Sequence, residues 1–128
     1  MKQVILTKYG PPEVLQVKEF DNPEPKPNEI RVKVHYAGIN FAEIMARMKL
    51  YPGGPKPGSV LGGEVSGVVD KIGKEVKDIE IGQKVIGLSM KGSYTSHVCL
   101  EPKSIIPIPE NFKLDEAATF PVIYITAY

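Results

Sequence analysis

Short apolar runs, each closed by glycine, proline or a charged residue, follow one another along most of this chain. Residues 4–6, 15–20, 30–36, 65–72, 84–88 and 94–100 are rich in β-branched and aromatic side chains, and 30–36 alternates apolar and polar positions almost strictly. Alternation of this kind places one face of a strand in a core and the other in water. These runs predict a mainly β fold with short helices, its strands forming a partly open barrel. Pro23, Pro25 and Pro27 impose an extended, donor-poor crossover ahead of residue 30, which suits a surface connection.

One stretch has a different period. In NFAEIMARM, residues 40–48, Phe41, Ile44, Met45 and Met48 fall at i, i+3, i+4 and i+7, an apolar stripe at helical spacing. Asn40 suits the N-cap of that helix, and Glu43, three residues on, completes a capping box. A second helix is expected from Leu114, where Asp115 and Glu116 put negative charge in the first turn ahead of Ala117 and Ala118. Pro121 complicates its continuation.

Composition narrows the picture. With 128 residues and 42% apolar content the chain can bury one modest core, so a single domain is expected. Lys and Arg number 16 against 15 Asp and Glu, with no basic stripe among aromatics, which disfavours nucleic acid binding. Cys99 stands alone, so there is no intramolecular disulfide, and a reducing, cytoplasmic setting is expected. No apolar run approaches the roughly 20 residues that span a bilayer, and no transmembrane segment is expected.

Candidate chemistry gathers in residues 37–67. Glu64 sits in an apolar stretch, and if buried its charge needs a partner, for which Arg47 on the polar side of the helix is the nearest candidate. A structural ion pair and a catalytic acid are both open to Glu64. Asn40 can cap with its carbonyl oxygen while its amide donates elsewhere, and the phenol of Tyr51 suits the wall of a pocket that orients a flat ring or the lid of a core. The run GGEVSG, residues 62–67, has the wrong glycine spacing for a dinucleotide loop and leads into strand-like valines. His97 and Cys99 share one strand face, but the chain is short of the three or more ligands a catalytic zinc needs.

GINFAEIMARMKLYPG, then GGEVSGVV, IGQKVIGL and AATFPVIYITAY, together resemble the N-terminal portion of zinc-independent medium-chain dehydrogenase/reductases. The likeness is greatest to quinone oxidoreductases and the related synaptic-vesicle membrane protein group, and covers essentially the whole chain. It implies a GroES-like domain over 1–113, with 114–128 starting the helix that leads into a Rossmann domain lying beyond this chain, so the chain is expected to be a fragment or a split form. Zinc-dependent relatives carry Cys and His at the positions of Asn40 and Gly63, so the likeness implies no metal. It further implies NADPH as the cofactor of the complete protein and a quinone or α,β-unsaturated carbonyl as hydride acceptor, with Asn40, Tyr51 and Thr126 in the cofactor and substrate cleft. Glu43, Arg47 and Glu64 would then be structural or supporting residues. An inactive fragment is expected, monomeric or weakly associating through its C-terminal apolar run, with a homodimer in the complete protein. The vesicle-protein likeness also leaves open a non-enzymatic interaction module.

Overall fold

The computed structural model describes residues 1–128. Its order is β1 (Lys2–Leu6), β2 (Leu15–Glu19), β3 (Ile30–Ala37), α1 (Phe41–Arg47), β4 (Glu64–Ile72), β5 (Lys84–Leu88), β6 (His97–Leu100), β7 (Ile105–Pro107), α2 (Leu114–Ala118) and α3 (Phe120–Ala127). β1 and β2 pair as an antiparallel ribbon, and the other strands form one antiparallel sheet in the order β6-β3-β4-β5-β7. Isolated bridges from Gln3 to Thr95 and from Ile5 to Val60 tie the ribbon to loops of the larger sheet. The result is a mainly β fold with short helices whose two sheets stay open, as the strand pattern predicts.

The core follows directly from the alternation. Ile30 and Val32 of β3 turn inward to meet Val65 and Val69 of β4, Val85 of β5, and Val98 and Leu100 of β6. A second cluster, Leu6, Val14 and Leu61, sits under the ribbon. β4 is buried through residues 64–67 without alternation because α2 covers its other side. The Ser66 hydroxyl donates to the Leu114 carbonyl, and Ala117 packs with Ile86 and Ile108.

The structure departs from the apolar pattern in three places. β6 begins at His97 rather than at residue 94, because Tyr94 turns into the Leu6 cluster and Thr95 makes only a single bridge. β7 has three residues, too few to show a period. Pro121 does not end helical structure: the chain breaks at Thr119, and Pro121 falls in the first turn of α3, where its missing N–H costs no hydrogen bond.

Candidate functional site

An open cleft of about 600 Å³ lies where α1 meets the loops around it. α1 contributes Glu43 and Ala46, the loop after it Tyr51, and the turns before β4 and after β5 contribute Gly62, Gly63 and Lys91. Gly62 adopts φ +94°, a conformation glycine takes without strain, and a methyl there would overlap the Ser93 hydroxyl. Space in front of Gly63 is open.

The capping box expected of Asn40 and Glu43 is present. The Asn40 backbone N–H donates to Glu43 Oε2 at 2.5 Å. Burial holds the Glu43 carboxyl above its ordinary acidity range, opposed by the Asn40 N–H that it accepts and reinforced by the negative charge of Glu64. Burial likewise pushes the Tyr94 phenol well above its usual value, so it stays neutral.

Glu64 is 1% exposed. Its carboxylate does not meet Arg47, whose guanidinium instead donates to the Gly10 carbonyl and pins α1 to the loop before β2. The expected ion pair between Arg47 and Glu64 is therefore absent: the Arg47 side chain leaves α1 toward that loop. Glu64 Oε1 accepts from Asn40 Nδ2 at 2.9 Å, and Oε2 accepts from the Val122 backbone N–H at 2.8 Å. Sequence reasoning missed Val122 because its contribution is a backbone group; the buried acid itself was the only signal.

The expected site residues are thus only partly gathered. Tyr51 and Glu43 line the cleft. Asn40 stands beside it without lining it, and Thr126 lies exposed on α3, outside the cleft. Asn40 and α3 are joined through Glu64 rather than through a shared concavity.

A second polar cluster lies on the outer face of the sheet. Arg31 of β3 donates to both carboxylate oxygens of Asp70 in β4, at 2.8 and 3.2 Å, and His97 Nε2 of β6 lies 3.6 Å from Asp70. Glu24 reaches Arg31 at 3.6 Å and also pairs with Lys71. Cys99 is half-buried there, its thiol pushed up to about 11 by burial. No group of three or more His, Cys, Asp or Glu residues is placed to hold a metal ion.

Residues 26–110 match the alcohol dehydrogenase GroES-like domain. The chain belongs to this family. It is 40% identical over 129 residues to a Synaptic vesicle membrane protein VAT-1 homolog of Danio rerio, an alignment covering 99% of this chain and 26% of that protein. The crystal structure of human synaptic vesicle membrane protein VAT-1 homolog-like protein superposes with a TM-score of 0.94 at 33% identity, covering 100% of this chain and 41% of that one. Escherichia coli quinone oxidoreductase complexed with NADPH superposes with a TM-score of 0.84 at 36% identity, covering 92% of this chain and 36% of that one. The chain therefore spans between about a quarter and two-fifths of these relatives' lengths. This membership bears out the resemblance to medium-chain dehydrogenase/reductases carried by the four motifs.

Proposed function

We propose that this chain is the substrate-side domain of a zinc-independent, NADPH-dependent reductase that acts on quinones or α,β-unsaturated carbonyls. The observation that carries the reading is the cleft itself. Its volume leaves space for a nicotinamide and a planar acceptor together, one wall is the half-exposed ring of Tyr51, and the open space in front of Gly63 leaves room for close approach. The likeness to a quinone oxidoreductase complexed with NADPH supports it. These residues fit the nicotinamide end of such a cofactor and a planar acceptor, and none of them supplies the glycine turn and helix a pyrophosphate needs.

When bound, NADPH supplies the hydride. This chain's residues bind and orient. Tyr51 stacks beside the acceptor ring, Ala46 and Leu61 keep water away, and Lys91 offers positive charge as an acceptor oxygen gains electrons. Glu43 puts a carboxyl at the cleft whose acidity burial weakens. Tyr51 would face cofactor and acceptor within the cleft, with Asn40 at its side, whereas Thr126, exposed on α3, lies outside that concavity.

The 128-residue chain by itself is expected to bind NADPH more weakly than about 1 mM, since the phosphates lack a cradle. Clear micromolar binding by calorimetry would overturn that. Joined to a nucleotide-binding domain, it should oxidise NADPH when a quinone is added. No helix is long and apolar enough to cross a membrane. Asn40 and Gly63 offer no soft ligand, so elemental analysis should find no stoichiometric zinc.

The likeness to the VAT-1 homologues favours a second reading, a non-enzymatic interaction module. A complete protein that binds NADPH without consuming it in the presence of quinones or enones would support that reading against the first.

A further inference from the structure

We propose that Glu64 is a positioning residue that sets the direction of the Asn40 amide and, through the same carboxylate, anchors the first turn of α3. Four observations carry this. Glu64 is 1% exposed, and no lysine, arginine or histidine pairs with it. A buried carboxylate in that state needs donors, and it finds them on two different elements: Asn40 Nδ2 at the start of α1 and the Val122 N–H in the first turn of α3. Pro121, just before Val122, has no N–H, so Val122 is the donor that the turn can offer inward, and the positive end of α3 favours the charge. Gly38 leaves room for the carboxyl, since a methyl there would overlap it, and the Gly38 N–H donates to the Glu64 carbonyl at 3.2 Å.

The consequence follows from donor and acceptor chemistry. Glu64 Oε1 accepts from Asn40 Nδ2, so the Asn40 side chain turns its NH₂ toward Glu64. That leaves Asn40 Oδ1 for the first amides of α1, and the second hydrogen of the NH₂ directed away from Glu64. One anion therefore orders the edge of the cleft and the start of α3 together. A glutamine at 64 separates the two tasks: its oxygen can still accept from Val122, while its NH₂ faces the Asn40 NH₂ and forces Asn40 to turn round.

Nitrogen-15 NMR of the 128-residue chain tests this independently of any activity. Glu64→Ala is expected to lower protection of the Val122 amide against hydrogen exchange by about tenfold or more while Val32 in the sheet keeps its protection. Glu64→Gln is expected to keep Val122 protected and to move the Asn40 side-chain NH₂ resonances. If Glu64→Ala unfolds the chain, Glu64→Gln alone decides. Unchanged Asn40 NH₂ resonances in Glu64→Gln, or unchanged Val122 protection in a folded Glu64→Ala, would overturn the proposal.

The kinetic part rests on the reductase reading. In the complete protein Glu64→Gln should lower kcat/KM for a quinone about tenfold, as a lost hydrogen bond in the site does, while the Val32 amide in the sheet keeps its exchange protection. An unaltered kcat/KM would overturn the positioning role. A wild-type protein without turnover would instead sink the reductase reading and leave the NMR result standing.

Discussion

Ser93 keeps its hydroxyl fully inside the protein, pressed behind Gly62, without a hydrogen-bond partner. A buried polar atom in that condition has lost water and gained nothing in exchange. Ser93→Ala is therefore expected to leave stability unchanged or to raise it by up to about 1 kcal/mol in urea unfolding. A loss of that size would reveal a partner for the hydroxyl. Glu43 yields a pH dependence. Its folded carboxyl is held above the unfolded value, chiefly by burial. Its neutral form thus suits the fold better, so its contribution is fully present below the unfolded value near 4.5 and is lost as pH rises through the folded one. Glu43→Gln keeps an oxygen for the capping box. Its unfolding free energy should decline less over that window than that of the unaltered chain, and parallel curves would show that Glu43 is solvated.

Among the elements, electrostatics separates a staple from a decoration. Asp70 accepts two bonds from Arg31, whose side chain is only 13% exposed, and it also faces His97, so one carboxylate joins β3, β4 and β6. Asp70→Ala should cost about 1–3 kcal/mol, the range for losing charge-assisted bonds at a part-buried site. Glu24, 68% exposed, pairs with both Lys71 and Arg31, yet water screens it, and Glu24→Gln should stay within about 0.5 kcal/mol of neutral. Equal costs in urea titrations would refute this ranking. The strands themselves were legible because period two is a direct record of which side meets the core, as in β3. α1 was legible as a helix, with its cap and box. Its buried face was not, because period reports that a stripe exists and not what covers it: Ala46 packs inward while Phe41 stands 72% exposed. Tertiary contacts placed Tyr94 and Arg47 against what their neighbours in sequence imply. The tie from Glu64 to Val122 bridges 58 positions and uses a main-chain donor, which no side-chain pattern encodes.

The molecule as a whole leaves large apolar side chains in water on two helices. Phe41, Ile44 and Met48 of the α1 region are exposed, as are Ile123, Tyr124 and Ile125 of α3. The tie through Glu64 holds the starts of these helices to one strand end, so both apolar faces flank the same part of the molecule. Apolar area of this kind favours association over hydration, at about 25 cal/mol per Å² removed from water, offset by the freedom that two bodies lose on joining. The balance gives weak self-association for the isolated chain, with a dissociation constant on the order of 100 μM. Sedimentation equilibrium across that range should show mass rising with concentration. Ile125→Lys should suppress the rise while leaving the melting temperature alone, because a side chain 61% exposed adds little to the fold. Leu61→Ala is the contrasting variant: at 3% exposure it should cost about 2–5 kcal/mol of stability. A chain that stays monomeric throughout, or an Ile125→Lys variant that associates as strongly as the parent, would show that α3's exposed residues do not act as a contact face.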